Sequence, residues 1–215
     1  MAAAKLTIAQ QKGGAGKTTL AAHLAVAFAS EGRSVATVDI DPQGSLSRWH
    51  AMRVQAGRGD NPVHEQVTGW RTAQTVDRLA AHHDVVVVDS PPHMETDARL
   101  AVRSADLVLV PIQPGPLDFW AVEPTLAMIR TEGRRGLVVM NRVPARSRLT
   151  DQLAATLADM DGVTIARSRI GNRVPFAAAM MEGLGVTERS RGGAAAGEIT
   201  DLAAEIAGMV GLGKS

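Results

Sequence analysis

Two lysines flank a run of glycines near the amino terminus, and residues of these types at this spacing can hold phosphate groups. The stretch "QQKGGAGKTT", residues 10–19, places Lys12 and Lys17 five positions apart. Glycines let successive backbone N–H groups turn toward one point, and such a nest binds an anion well where it opens a helix. Lys17 can then reach the β- and γ-phosphates of a nucleotide, and the Thr18 hydroxyl can bind Mg²⁺. The residues predicted to surround the phosphates are Gly13, Gly14, Ala15, Gly16, Lys17, Thr18 and Thr19.

The segments on either side of this loop are the ones that a phosphate-binding motif requires. The run "LTIAQ" before it predicts a buried strand, and "KTTLAAHLAVAFA" after it predicts a helix. The loop fits the Walker A pattern G-x-x-x-x-G-K-[ST] only in part, because Gln11 stands where the standard pattern has glycine. A glycine-rich turn without a ligand would not need the strand, lysine, threonine and helix together.

Two further carboxylates stand where predicted strands end. Asp89 closes the run "DVVVVDS", so its side chain should enter the crevice at the carboxyl end of the sheet, where it can hold Mg²⁺. The segment "VDIDPQGS" places Asp39 at another strand end and Asp41 two residues later in a loop. Asp39 would support the same metal site. The pairs Asp-Pro and Gln-Gly also favour a plain turn.

Strand and helix signals alternate along the chain and predict an α/β fold. Six short aliphatic runs read as strands buried on both faces, and helical stretches lie between them. This alternation predicts a mostly parallel twisted sheet flanked by helices, in one domain covering residues 1–215. Residues 52–70, rich in glycine and charge, are expected to be a long loop or a short insertion. The strand runs are "KLTIAQ", "SVATVDI", "DVVVVDS", "DLVLVPI", "GLVVMN" and "GVTIARS".

Composition excludes several classes of protein. The chain has no cysteine, which rules out disulfides, iron–sulfur clusters and thiolate zinc sites. The amino terminus does not resemble a signal peptide, and no apolar run is long enough to span a membrane. Charge is uneven, since residues 134–173 contain eight arginines against three aspartates. A solvated face and a phosphate-binding face both fit that surplus.

The stretch "KGGAGKTT" resembles the deviant Walker A motif of the ParA/MinD family of P-loop ATPases. The resemblance extends over nearly the whole chain, through "VDIDPQGSLSRW", "VVVVDSPP", "VPIQP", "VVMNRV" and "EITDLAAEI", and is strongest to small ParA-type partition ATPases. It implies a P-loop NTPase fold of the deviant Walker A type. The implied activity is slow hydrolysis of ATP to ADP and phosphate, with ATP and Mg²⁺ as cofactors.

The same resemblance implies roles for individual residues. Lys12 would reach across a face-to-face homodimer to the partner's ATP, and Lys17 would serve the nucleotide of its own subunit. Asp41 would lie in the first switch, near Mg²⁺ and the attacking water. Asn141 and Pro175 would contact or cover the adenine. The implied sets are Lys12, Lys17 and Asp41 for catalysis, and Thr18, Asp41 and Asp89 for the metal.

The resemblance also implies partners. An ATP-bound homodimer would bind duplex DNA without sequence preference, and a ParB-like protein would stimulate hydrolysis. The protein would then act in the cytoplasm over the nucleoid, and its cargo would be a plasmid, a chromosome or a large protein assembly. A fold-related small-molecule ligase or synthetase and a MinD-type membrane-associated ATPase remain as alternatives. The arginines available to DNA are Arg142, Arg146, Arg148, Arg167, Arg169 and Arg173.

Overall fold

The computed structural model describes residues 3–92, 95–160 and 162–213. Within these ranges the strands form one seven-stranded sheet in the order β3-β2-β4-β1-β5-β6-β7, and each neighbouring pair is parallel. The α/β fold with a mostly parallel sheet is therefore confirmed. The strands are β1 (Ala4–Ile8), β2 (Val35–Asp39), β3 (Val63–Gln66), β4 (Val85–Asp89), β5 (Leu107–Ile112), β6 (Gly136–Met140) and β7 (Thr164–Ile165).

Helices connect these strands and cover both faces of the sheet. Each strand from β1 to β6 is followed by a helix, which is the usual crossover connection between parallel strands. The helices are α1 (Lys17–Ser30), α2 (Ser45–Gln55), α3 (Arg71–Ala80), α4 (Glu95–Ser104), α5 (Pro116–Thr131), α6 (Arg148–Ala158), α7 (Val174–Met181), α8 (Val186–Arg189) and α9 (Ala194–Val210).

The expectation of a long loop or insertion over residues 52–70 is wrong in part. Helix α2 continues to Gln55, and residues 63–66 form β3, which pairs with β2 at the edge of the sheet. The sequence "VHEQ" does not show the aliphatic character of the other strands, because an edge strand is only half buried. Its polar side chains are therefore compatible with a strand, although their pattern does not predict one.

The alternation of side chains along β4 divides the core between the two faces of the sheet. Val85 and Val87 pack with α1 and α9 on one face, whereas Val86 and Val88 pack on the other face with Val76. All four valines are 0–1% exposed. A strand buried on both faces has to be aliphatic throughout, which explains the unbroken run of valines.

The strand order brings the predicted site residues together at the carboxyl ends of the strands. β1 lies at the centre between β4 and β5, and β2 pairs with the far side of β4. Because all strands are parallel, the loops that follow β1, β2, β4 and β6 all leave the sheet at the carboxyl ends of its strands. This end of the sheet, which carries Lys17, Asp89 and Asn141, is called the nucleotide edge below.

Candidate nucleotide site

The phosphate loop between β1 and α1 adopts a conformation that glycine makes possible. Gly14 and Gly16 have φ angles of 79° and 92°, in the left-handed region that side chains disfavour. At Gly16 a Cβ atom would also lie 2.5 Å from the Asn141 Nδ2 atom. A Cβ atom at Gly13 or Gly14 would meet no atom within 4 Å. The loop thus packs closely against Asn141 at Gly16, whereas Gly13 and Gly14 face open space.

Lys17 opens α1 and points back into this loop. Its side chain is 7% exposed, and its Nζ atom donates a hydrogen bond of 3.0 Å to the Gln10 carbonyl. Burial lowers the pKa of the Lys17 ammonium group, and the nearby charges of Asp89 and Asp41 oppose that change. A dehydrated ammonium group beside a glycine nest is well suited to nucleotide phosphates.

Asp89 ends β4 directly beside the first turn of α1. The Thr18 Oγ1 atom donates a hydrogen bond of 2.6 Å to Asp89 Oδ2, while Oδ1 is buried and has no partner among the described residues. Burial is the main cause that raises the pKa of the Asp89 carboxyl to about 7, and the charge of Asp39 adds to it. A buried carboxylate oxygen without a donor fits a site that binds a cation.

The donor set suits magnesium in particular. Among the described residues, no group of three or more His, Cys, Asp or Glu side chains is arranged to hold a metal ion. Mg²⁺ commonly takes one or two protein ligands together with phosphate oxygens and water, rather than a cage of side chains. Thr18 and Asp89, already joined by a hydrogen bond, could therefore hold Mg²⁺, which would neutralise charge on the phosphates.

Asp41 lies in the loop after β2 and faces the same space. It lines a cavity of about 340 Å³ together with Lys17 and Thr18. Its Oδ1 atom accepts a hydrogen bond of 2.9 Å from the Gln43 backbone N–H, which orders the turn. Asp39 behaves differently, because its carboxylate accepts bonds from Asp41 N, Ser47 N and Ser47 Oγ and thus holds the loop.

Lys12 does not point toward the phosphate space of its own subunit. Its ammonium group pairs with the carboxylate of Asp118 in the first turn of α5. The Lys12 side chain is 33% exposed, and that of Asp118 is 8% exposed. The two lysines of the loop therefore face different surroundings, and Lys12 lies at the partly exposed rim of the phosphate loop.

A second cavity, of about 160 Å³, adjoins the phosphate loop where β6 ends. Its lining includes Asn141, His23 and Phe176. The Asn141 side chain donates a hydrogen bond of 2.8 Å to the Ala15 carbonyl, which ties β6 to the loop. Size and position suit the base of a nucleotide. Pro175 is not among the lining residues, so the structure does not place it in this cavity.

His23 and Phe176 are among the residues of this second cavity that were not singled out from the sequence. His23 is buried in α1, where Nε2 lies 3.2 Å from the Phe176 carbonyl and Nδ1 accepts a bond from Val186 N. Phe176, near the start of α7, also lines the cavity. One histidine within the apolar run of α1 was the available signal, but it does not distinguish a ligand contact from a buried structural side chain.

Arg142 lies apart from the other arginines. It lines both cavities, and its backbone N–H donates to the Asn141 Oδ1 atom at 2.9 Å. Its φ angle is 52°, an uncommon value for a residue with a side chain. The structure thus brings Arg142 to the nucleotide site, where sequence reasoning had grouped it with arginines for DNA.

The other five arginines are exposed and are called the arginine surface. Three of them pair with carboxylates: Arg167 with Glu205 at 3.7 Å, Arg169 with Asp151 at 2.6 Å and Arg173 with Glu198 at 2.7 Å. Among the described residues, no carboxylate forms an ion pair with Arg146 or Arg148. Within the arginine surface, the positive charge that no carboxylate of the described residues neutralises therefore lies at the start of α6.

Comparison with known proteins relates the sequence to a family. A family model described as "CobQ/CobB/MinD/ParA nucleotide binding domain" matches residues 6–186. The chain is 31% identical to maintenance of carboxysome distribution protein A of Halothiobacillus neapolitanus over 213 residues, covering 94% of this chain and 95% of that protein. It is 26% identical to the chromosome-partitioning ATPase Soj of Thermus thermophilus, covering 96% of each.

Solved structures share the fold of this chain. The septum site-determining protein MinD of Pyrococcus horikoshii, solved with Mg-ADP, superposes with a TM-score of 0.77 at 19% identity. The match covers 96% of this chain and 97% of that one. The nucleotide edge described above is therefore part of a fold that the two chains share along nearly their whole length.

Proposed function

Because the chain belongs to the CobQ/CobB/MinD/ParA nucleotide binding domain family and is an ATPase with ATP and Mg²⁺ as cofactors, we propose that it is a dimerising switch that positions cargo on DNA. Residues 1–215 act as one ATPase domain. ATP closes a homodimer, and the dimer binds duplex DNA. A ParB-like partner stimulates hydrolysis and releases it.

The division of labour between the two lysines supports dimerisation most directly. Lys17 is buried in the phosphate loop, whereas Lys12 lies at the rim on Asp118 and is partly exposed. A rim lysine can reach a nucleotide bound to a second subunit. Without ATP, Lys12 stays paired with Asp118 on its own subunit. With ATP, the phosphates of the partner's nucleotide attract Lys12 away from Asp118 in an interface with little water.

The remaining site residues divide into binding and catalysis. The phosphate loop, residues 13–19, holds the phosphates, and Asn141 and the second cavity receive the base. Thr18 and Asp89 bind Mg²⁺. Asp41 orients the attacking water in line with the terminal phosphate, and positioning supplies much of the catalysis of phosphoryl transfer. Pro175, in the first turn of α7, is proposed to cover the base.

DNA binding is assigned to the arginine surface, with Arg142 nearer the nucleotide. Exposed guanidinium groups contact phosphates without reading sequence. Chains similar to this one are named for carboxysome distribution and for chromosome partitioning. We therefore propose a large assembly or a replicon as cargo, and a nucleoid-associated location. None of the helices among the described residues is long and apolar enough to cross a membrane.

Oligomeric state and DNA binding test this proposal together. Light scattering with and without ATP should show a dimer for Asp41→Ala, which should hydrolyse no ATP, and a monomer for Lys12→Ala. Lys5→Ala is the matched control, because Lys5 pairs with Asp77 at the opposite end of β1. The Asp41→Ala dimer should bind random duplex DNA at low salt, and the Lys12→Ala protein should not.

Either of two results would contradict the proposal. One is an ATP-dependent Lys12→Ala dimer of normal affinity, and the other is an Asp41→Ala dimer that ignores DNA. ATP turnover that depends on a small carboxylate or amine substrate, and not on DNA, would favour the ligase or synthetase alternative. Binding of the ATP dimer to anionic vesicles in preference to DNA would favour a MinD-type function.

A further inference from the structure

A chain of side-chain hydrogen bonds runs from the edge strand β3 to the loop that carries Asp41. The His64 Nε2 atom lies 2.9 Å from the Ser47 Oγ atom. Ser47 Oγ in turn lies 2.8 Å from Asp39 Oδ2, and the Asp41 backbone N–H donates to Asp39 Oδ1 at 3.0 Å. His64 is thus linked to the loop through two intervening side chains.

The direction of the hydrogen bonds follows from the charges and protons available. Asp39 is a carboxylate, so the Ser47 hydroxyl donates to it and has to accept from His64 Nε2–H. The other ring nitrogen, Nδ1, lies 3.0 Å from the Thr37 hydroxyl, whose single proton is shared between Nδ1 and the Val63 carbonyl, also 3.0 Å away. Burial lowers the pKa of His64 to about 4, which keeps the ring in the neutral form that can donate at one nitrogen and accept at the other.

Asp39 joins the two ends of the loop. Its Oδ1 atom holds Asp41 N, and its Oδ2 atom holds both the N–H and the hydroxyl of Ser47 in the first turn of α2. Asp39 is 0% exposed, so this carboxylate depends on those donors. Any change in the orientation of Ser47 should therefore change the position of the Asp41 backbone.

The ring of His64 is itself held in place. It stacks on His50 with the ring centroids 4.9 Å apart and the planes 23° apart. His50 Nε2 lies 3.2 Å from the Pro62 carbonyl, just before β3 begins. Residues 62–66 therefore do more than extend the sheet, because these contacts orient the His64 imidazole toward α2.

We propose that His64 is a positioning residue for ATP hydrolysis, which through Ser47 and Asp39 holds the Asp41 loop in its working geometry. The inference rests on the proposed role of Asp41 in orienting water. His64 touches neither the nucleotide cavities nor the phosphate loop, so it acts on the rate of hydrolysis and not on the binding of ATP.

Steady-state ATP hydrolysis by three His64 variants tests this inference. His64→Ala should lower kcat about tenfold, because a displaced loop would misplace Asp41 relative to the attacking water. The KM for ATP should stay within about twofold. His64→Gln can place an amide N–H where Nε2–H stands and should restore most of kcat. His64→Asn carries its amide nearer the Nδ1 position and should restore little.

Two further variants locate the effect within the chain of bonds. Ser47→Ala should lower kcat by a similar factor, and His64→Ala added to it should lower kcat no further, since both changes break the same chain. His82→Ala is the matched control, because His82 is an exposed histidine just after α3. It should hydrolyse ATP like the unaltered protein.

Outcomes that overturn the inference are distinct from failure of the proposed function. If Asp41→Ala is inactive but His64→Ala keeps its kcat, the inference is wrong and the role of Asp41 stands. If His64→Ala and His64→Gln lose kcat equally while both bind a fluorescent ATP analogue normally, His64 acts by packing alone and the inference is also wrong. If Asp41→Ala hydrolyses ATP normally, the proposed role of Asp41 fails first.

Discussion

Two charged regions of the molecule differ in how much water surrounds their charges. At the nucleotide edge, Lys17 and Asp89 are 7% and 1% exposed, and each has few partners inside the protein. On the arginine surface, Arg169 and Arg173 have side chains that are 42% and 43% exposed, and each pairs with a carboxylate.

This difference determines how tightly the fold fixes the position of each charged side chain in the two regions. A buried charge interacts strongly with every neighbour, so its position and its ligand are tightly constrained. An exposed ion pair typically contributes about 0–1 kcal/mol, and one arginine can replace another. The nucleotide edge should therefore respond sharply to single substitutions, and the arginine surface should respond gradually and additively.

The largest effect is expected at Asp89. Replacing it by asparagine keeps its shape and removes its charge, so ATP hydrolysis should fall by roughly a hundredfold or more as magnesium binding weakens. Stability should change in the opposite direction. Without Mg²⁺ and nucleotide at pH 8, Asp89→Asn should raise the free energy of unfolding by on the order of 2 kcal/mol, because no ionised carboxylate is then buried.

The pH dependence of this gain has a definite sign. The pKa of Asp89 is about 7 in the folded protein against an ordinary value of 3.8, so between these values the folded state binds more protons. The unfolding free energy of the unaltered protein should fall as pH rises from about 4 to about 7 for this reason. Urea denaturation at pH 5 and pH 8 measures it, and equal gains from Asp89→Asn at both values would contradict the buried charge.

A smaller effect on ATP hydrolysis is expected at Gly16, where the change acts mainly on stability. Gly16→Ala places a Cβ atom at a φ of 92° and against Asn141, so it should destabilise the protein by about 2–4 kcal/mol and weaken ATP binding. Gly57→Ala is the control, since Gly57 has a φ of 71° but no atom within 4 Å of a Cβ. Urea denaturation and ATP titration should show only a loss of about 1 kcal/mol there, and equal losses would mean that the contact with Asn141 contributes nothing.

The smallest effects are expected on the arginine surface. Arg146→Ala with Arg148→Ala should make the negative slope of log affinity for duplex DNA against log salt shallower by about 0.9 for each DNA phosphate that is no longer neutralised. Arg169→Ala with Arg173→Ala should change the slope less, because Asp151 and Glu198 already neutralise those side chains. Fluorescence anisotropy at several salt concentrations measures both slopes. A larger change from the second pair would show that the ion pairs open on DNA.

The comparison of the two regions also describes what could be read from sequence. Strand ends mark Asp89 and Asn141 because buried parallel strands are aliphatic and any polar residue that follows them is conspicuous. The edge strand β3 was missed, because one exposed face permits polar side chains such as His64 and Glu65. Arginine positions were visible, but their carboxylate partners lie 18 to 38 residues away along the chain.

The sequence by itself determined the phosphate loop, the strand–helix alternation and the residues available to ATP and Mg²⁺. Those features are local, because they depend on glycine conformations, on unbroken aliphatic runs and on residues adjacent in the chain. Only the tertiary structure decided that Lys12 rests on Asp118, that Arg142 joins the nucleotide site and that His64 connects to Asp39. Each of these arrangements brings together separate segments of the chain, and it forms only because of the order in which the parallel strands pair.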